Sequence, residues 1–121
     1  MRKVVFLSGP ISSDNVEQIA QHLHAFAEAE NRLTRAGFAV INPAADWPAC
    51  GFGGVTYEDF MEKDEALIWR SDIFCQLEGW EDSKGSMREL GWAVRASLRI
   101  VSVEECERME AKTLEGTELP Y

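Results

Sequence analysis

The sequence has few cysteines, fewer basic than acidic residues, and no apolar run long enough to cross a membrane. Its 121 residues include three cysteines, 12 Lys or Arg and 21 Asp or Glu, for a formal net charge of −9. So few cations argue against binding to duplex nucleic acid or to an anionic membrane. Cys50, Cys75 and Cys106 are odd in number and widely spaced, which favours a reducing compartment over a disulfide framework. We therefore expect a cytoplasmic protein.

Metal-binding patterns are also absent from the sequence. There is no CxxC pair or His/Cys cluster, and His22 and His24 stand two residues apart in a helical pattern, so their side chains point in different directions. We therefore expect neither a metal nor a cofactor. With 45 % hydrophobic and 27 % charged residues, the composition is that of an ordinary folded protein, and the length predicts one domain over residues 1–121.

Four short apolar runs alternate with helical patterns along the chain. The runs are Val4–Leu7, Phe38–Ile41, Ile73–Leu77 and Ile100–Val103. Apolar residues at helical spacing predict helices over about 16–36, 57–70 and 84–98, and a short one near 104–111. Strands that are apolar throughout are typical of a parallel sheet covered on both faces. The pattern predicts an α/β fold: a doubly wound parallel sheet of four to five strands in a flavodoxin-like or Rossmann-like three-layer sandwich.

In such folds the ligand binds beyond the carboxyl ends of the strands. The turn after the first strand carries backbone N–H groups and hydroxyls at a helix start, which suits a phosphate or a sugar hydroxyl. The residues alone favour the plainer interpretation, a turn followed by a capped helix. This turn comprises Ser8, Gly9, Pro10, Ile11 and Ser12.

A second candidate segment follows the third strand and leads to Glu89. Gly85 lets the backbone approach a ligand closely, with Ser83 and Ser86 on either side. Glu89 falls within the first two turns of the next helix, where the dipole favours the ionised carboxylate that a nucleophile requires. The alternative is a surface glutamate paired with Arg88 or Lys84.

Other candidates lie on neighbouring segments. Asp64 is interpreted either as a proton donor or sugar-orienting carboxylate, or as the N-cap of a second short helix if the pattern over 57–70 breaks there. Asp72 is expected to be a turn or capping residue. Trp47 and Trp80 lie on loops at the ligand edge, where each could stack on a base or pack against the core.

In order and spacing these segments resemble the nucleoside 2-deoxyribosyltransferase superfamily, which includes 2′-deoxynucleoside 5′-monophosphate N-glycosidases and small, often phage-encoded members. The resemblance implies cleavage or transfer at the N-glycosidic bond of a nucleoside or its 5′-monophosphate, without a cofactor. It implies that Glu89 forms a covalent glycosyl intermediate, that Asp64 assists, and that Ser83 contacts the sugar. The segments that carry it are Val5–Ser12, Gly37–Pro43, Ser71–Ile73 with Asp64, and Ser83–Gly85 with Glu89.

The chain departs from the superfamily's pattern at two positions in the substrate-binding turn and its strand. Phe6 stands where members often carry a tyrosine whose hydroxyl helps to position the nucleophile. Ser12 stands where monophosphate glycosidases carry an arginine, so strong selectivity for a 5′-phosphate is not expected. Members are typically dimers or larger, which implies a homo-oligomer whose tail, about 113–121, completes a neighbour's site. Two other functions remain open: an NAD or dinucleotide glycohydrolase, and a non-catalytic nucleotide-binding protein.

Overall fold

The computed structural model describes residues 2–46 and 56–109, and the four strands in this part form one parallel sheet. The strands are β1 (Val4–Ser8), β2 (Ala39–Ile41), β3 (Ile73–Gln76) and β4 (Arg99–Ser102), in the order β2-β1-β3-β4. The helices are α1 (Val16–Arg35), α2 (Tyr57–Trp69), α3 (Lys84–Arg95) and α4 (Val103–Arg108). The predicted α/β fold is confirmed.

Alternation along β1 divides the core into two layers, one on each face of the sheet. Val5 and Leu7 pack with residues of α1 and α4, such as Phe26 and Cys106. Phe6 points to the other face, where α2 and α3 cover it. All these side chains are at most 1 % exposed. The described part of the chain is thus a three-layer sandwich, and the end of β1 carries the polar side chain of Ser8 into its interior.

The helix beginnings lie at the carboxyl edge of the sheet because short polar residues cap them there. The Asn15 side chain accepts hydrogen bonds from the backbone of Glu17 and Gln18 at the start of α1. Ser83 accepts one from the Ser86 N–H at the start of α3. These caps satisfy N–H groups that a helix start leaves unpaired. Both helix starts therefore border the edge where the ligand was predicted.

Two predicted helix details were wrong. Helix α2 runs without a break through Asp64 to Trp69, so Asp64 is not the N-cap of a second helix. Helix α3 ends at Arg95 rather than at Leu98, because Ser97 adopts a left-handed conformation with φ 61°. Glycine usually marks such a turn, and its absence here hid the helix end from the sequence.

Asp72 is a capping residue, as predicted, and it caps a strand. Its Oδ2 accepts a hydrogen bond of 2.8 Å from the backbone N–H of Val4, at the start of β1. The predicted stacking residue Trp47 and the predicted tail, about 113–121, lie outside the described residues. Within 2–46 and 56–109 no helix is both long and apolar enough to span a membrane.

Candidate active site

Two carboxyl groups and one hydroxyl meet beneath the carboxyl edge of the sheet. Asp64 of α2 and Glu89 of α3 line the same cavity, and their exposed fractions are 3 % and 6 %. The Ser8 hydroxyl, at the end of β1, donates a hydrogen bond of 2.6 Å to Glu89 Oε1. The structure thus joins three residues that the sequence had placed on separate segments.

Helical spacing explains why both carboxyl groups face inward. Asp64 lies three residues after Met61 and four before Ile68, and both of these are buried. Glu89 stands in the same relation to Ser86 and Ala93 on α3. Each carboxyl group therefore occupies the buried stripe of its own helix, and the two stripes face each other.

The alternative of a surface Glu89 paired with Arg88 or Lys84 does not hold. Glu89 is buried, and Arg88 points away from it. The Arg88 guanidinium makes a two-bond ion pair with Glu58 of α2, with Nη1–Oε2 and Nη2–Oε1 distances of 2.9 and 3.2 Å. It also lies over the rings of Tyr57 and Trp92. Arg88 therefore links α2 to α3 on the outside of the carboxyl pair.

Burial disfavours the ionised form of the Glu89 carboxyl group. It raises the pKa of Glu89 well above its usual range, and the hydrogen bond and charge of Asp64 raise it further, while the hydrogen bond from Ser8 lowers it. Burial and Asp64 thus act against the ionised form of Glu89 that the helix dipole was expected to favour. Glu89 is the sixth residue of α3, beyond the first turn, where the dipole is strongest, so burial prevails. The titrations of the two neighbouring carboxyl groups are therefore coupled.

The raised pKa makes the stability of the fold depend on pH. Between the ordinary value of 4.5 and the higher folded pKa of Glu89, the folded state binds more protons than the unfolded state. The free energy of unfolding therefore falls as pH rises through this window. Glu89→Gln does not titrate, so its melting temperature should exceed that of the wild type by a margin that widens as pH rises above 4.5. Thermal unfolding followed by circular dichroism measures this, and a margin independent of pH would contradict it.

A cavity of about 80 Å³ lies beside the carboxyl pair. Its walls include the pair itself and six other predicted site residues: Gly9, Ile11, Ser12, Ser83, Gly85 and Ser86. Ser86 is 2 % exposed, and its hydroxyl has no hydrogen-bond partner among the described residues. That hydroxyl is available to a ligand, whereas the Ser83 side chain is engaged in capping α3.

On the remaining wall of this cavity, the sequence offered Tyr57 as a possible stacking face for a base but missed Phe60 and Met61. Tyr57, Phe60 and Met61, all on α2, complete the lining. They lie seven, four and three residues before Asp64, on the same side of the helix. A helical projection centred on Asp64 was the signal that would have found them.

A larger groove continues from the cavity. It has a volume of about 890 Å³ and shares Ile11, Ser12, Tyr57, Ser83 and Gly85 with the small cavity. Its remaining walls carry mostly polar groups of both signs, among them Ser13, Gln18, Gln21, His22, Glu78, Asp82 and Lys84, together with the predicted residue Pro10. A ligand can therefore reach the carboxyl pair with one small part while most of it lies in the groove.

Three predicted site residues make contacts other than those with the small cavity, or in addition to them. The Phe6 ring is fully buried and stacks on Phe74 at a centroid distance of 6.1 Å, so it does not line the cavity. Gly9 lines the cavity, but a Cβ added there would lie 2.8 Å from the Cβ of Leu77, so packing also requires glycine. Trp80 lines a separate cavity of about 360 Å³ that includes Ala25 and Ala29 of α1.

The chemistry available to this site is that of carboxyl groups and hydroxyls. In the described part of the chain no three His, Cys, Asp or Glu side chains are grouped to hold a metal ion. A buried pair of carboxyl groups can offer a nucleophile or base and, when one member is protonated, an acid at the same place. The fold and the site thus define an α/β protein with a buried carboxyl pair at the carboxyl edge of a parallel sheet.

The chain belongs to the family described as "Domain of unknown function (DUF4406)", whose model matches residues 3–102. No curated protein matches the sequence. Similar folds occur among solved structures. The solution structure of BlsM covers 98 % of this chain and 96 % of its own, with a TM-score of 0.63 and 17 % identity.

Two enzymes share the fold over most of this chain. A 2-deoxyribosyltransferase from the psychrotolerant bacterium Bacillus psychrosaccharolyticus has a TM-score of 0.59 and 21 % identity, covering 82 % of this chain and 70 % of its own. The Clostridium botulinum CMP N-glycosidase BcmB has a TM-score of 0.55 and 20 % identity, covering 83 % of this chain and 67 % of its own. At these identities the likeness concerns the fold.

Proposed function

We propose that this protein cleaves the N-glycosidic bond of a nucleoside or nucleotide, with Glu89 as nucleophile and Asp64 as acid. The observation that carries the proposal is the buried Asp64–Glu89 pair, which lines a cavity that opens into a larger groove. The N-glycosidase and the deoxyribosyltransferase that share the fold support it, as does the resemblance of the motifs around Asp64 and Glu89 to the deoxyribosyltransferase superfamily.

The first step requires the shared proton on Asp64 and the negative charge on Glu89. A Glu89 oxygen attacks the anomeric carbon while the bond from that carbon to the base nitrogen breaks. Asp64 gives its proton to the departing base, which leaves neutral. A glycosyl ester of Glu89 remains, and Asp64 is now ionised. One proton thus serves both carboxyl groups in turn.

The second step reverses the roles. Asp64 takes a proton from water as the water oxygen attacks the anomeric carbon, and Glu89 leaves as a carboxylate. Two displacements at one carbon retain its configuration. If a second base attacks instead of water, the same intermediate yields a new nucleoside. The small cavity suits the sugar, since it adjoins both carboxyl groups, and the groove suits the rest of the substrate.

Base release tests the proposal. The purified protein is incubated with ribonucleosides, deoxynucleosides, their 5′-monophosphates and NAD, and free base is separated by chromatography. We expect a free base from at least one nucleoside or nucleotide. Adding a second base tells transfer from hydrolysis, since transfer gives a new nucleoside. Release from NAD alone would favour a dinucleotide glycohydrolase.

Binding without base release would instead indicate a nucleotide-binding protein and overturn the proposal. Homo-oligomerisation, which the superfamily resemblance implies, is a further part of it. Light scattering coupled to size-exclusion chromatography measures the mass in solution, and a monomer at the concentration of the assay would contradict that part.

A further inference from the structure

Ser8 is a buried polar residue to which the mechanism so far gives no part. Its hydroxyl donates the 2.6 Å hydrogen bond to Glu89 Oε1, and the residue is 1 % exposed. It does not line the cavity beside the carboxyl pair. A substrate in that cavity therefore meets Glu89, but not the group that holds Glu89 in place.

The backbone of Ser8 is held firmly. Ser8 ends β1, the strand between β2 and β3 in the sheet, and is paired in register with Gln76 of β3. Its carbonyl accepts a hydrogen bond of 2.7 Å from the Leu77 N–H. The hydroxyl is thus attached to a central strand of the sheet, whereas the two carboxyl groups belong to helices.

We propose that Ser8 is a positioning residue that fixes the Glu89 carboxyl group and directs the proton of the pair to Asp64. The inference rests on the proposed function. A hydroxyl that donates to a carboxyl oxygen stabilises the ionised form of that group. Because Ser8 donates to Glu89, the form with the charge on Glu89 and the proton on Asp64 is stabilised. The form with the charge on Asp64 and the proton on Glu89 is not stabilised in this way. The stabilised form is the one that the first step uses.

Among the groups around Glu89, Ser8 is the one whose hydroxyl donates a hydrogen bond to its carboxyl group. Besides Glu89, the titratable side chains that line the cavity are Asp64 and Tyr57, both on α2. Asp64 opposes ionisation of Glu89. Phe6, on the same face of β1 as Ser8, has no hydroxyl to donate. In the superfamily that the chain resembles, a tyrosine hydroxyl at this position helps to place the nucleophile. Here Ser8 supplies a hydroxyl two residues further along the strand.

The test compares Ser8→Ala and Ser8→Cys with the wild type. Cysteine nearly keeps the volume of serine but donates a weaker hydrogen bond. Ser71→Ala is the matched control, because it removes another buried serine hydroxyl, bonded to the Leu67 carbonyl at 2.8 Å, in the turn that precedes β3. Melting temperatures and amide spectra establish that each variant is folded.

Two readouts are used, and only one needs catalysis. Carbon-13 NMR of labelled glutamate side chains follows the titration of Glu89, whose signal is assigned by its loss in Glu89→Gln. Ser8→Ala should titrate at higher pH than the wild type, with Ser8→Cys between them and Ser71→Ala unchanged. The kcat for base release should fall about 10- to 100-fold in Ser8→Ala, with KM changed little because Ser8 does not line the cavity.

The outcomes separate the two proposals. An unchanged Glu89 titration in folded Ser8→Ala overturns the role of Ser8, and so does a loss of kcat no larger than that of Ser71→Ala. A shifted titration in a protein that releases no base supports the hold of Ser8 on Glu89 but overturns the proposed function. A shift together with a graded loss of kcat from serine to cysteine to alanine supports both.

Discussion

Replacing Glu89 with glutamine is expected to lower kcat/KM for base release by at least about 10⁴-fold, because the amide cannot attack the anomeric carbon. Glutamine has nearly the same shape and can keep hydrogen bonds to Ser8 and Asp64. The variant should therefore fold and keep the shape of the site. Substrate binding should persist, because Glu89 supplies the attacking oxygen, whereas most of the substrate is bound by the groove.

Single-turnover experiments with a substrate identified from the panel measure this loss. Glu62→Gln is the matched control, since Glu62 belongs to α2, like Asp64, but is exposed. Its rate should equal that of the wild type. Mass spectrometry of wild-type protein quenched during turnover should also find a glycosyl adduct on the peptide that contains Glu89. Base release by Glu89→Gln at the wild-type rate would exclude Glu89 as the nucleophile.

Asp64→Asn is expected to reduce kcat by about 10²- to 10⁴-fold, the usual contribution of a general acid. The loss should be greatest for bases that leave poorly without a proton and smallest for bases that leave readily as anions. The pH profile should change as well. On the proposed mechanism, wild-type activity should rise as the pair loses its first proton and fall as it loses the second, which gives a bell-shaped curve.

The direction of the pH change follows from the causes of the raised pKa of Glu89. Removing the Asp64 carboxyl group removes a charge and a hydrogen bond that raise this pKa. The acidic limb of the profile should therefore move to lower pH in Asp64→Asn, and the alkaline limb should disappear. Asp59→Asn, near the start of the same helix and exposed, serves as control. An acidic limb at the wild-type position would contradict the coupling of the two carboxyl groups.

The fold could be predicted from the sequence because each strand is apolar on both faces and each crossover contains one helix. The strand order β2-β1-β3-β4 places the topological switch point of the sheet between β1 and β3. The turn after Leu7, which was expected to bind a ligand, lies at this point. Helix ends were harder. The left-handed Ser97 that ends α3 and the unbroken helix through Asp64 both depend on tertiary packing, which overrides local preference.

The candidate site could be predicted as a set of residues but not as an arrangement. Glu89 and Asp64 were recognised through spacing and resemblance, and each lies on the buried stripe of its helix. Their position in one cavity and the hydrogen bond from Ser8 to Glu89 could not be predicted, because sequence patterns do not show which helix faces meet. The same limit applies to Arg88, whose partner, Glu58, lies 30 positions away on another helix.

The bond between Ser8 and Glu89 joins residues 81 positions apart, and the third member of the site belongs to yet another element. Such a contact forms only when the two ends of the chain segment have been brought together, which is slow and entropically costly. The nascent chain must be complete through α3 before these groups can meet. Until then Asp64 and Glu89 are hydrated, independent acids. The proposed mechanism therefore requires that the tertiary structure has closed, and we expect a partly folded chain to release no base.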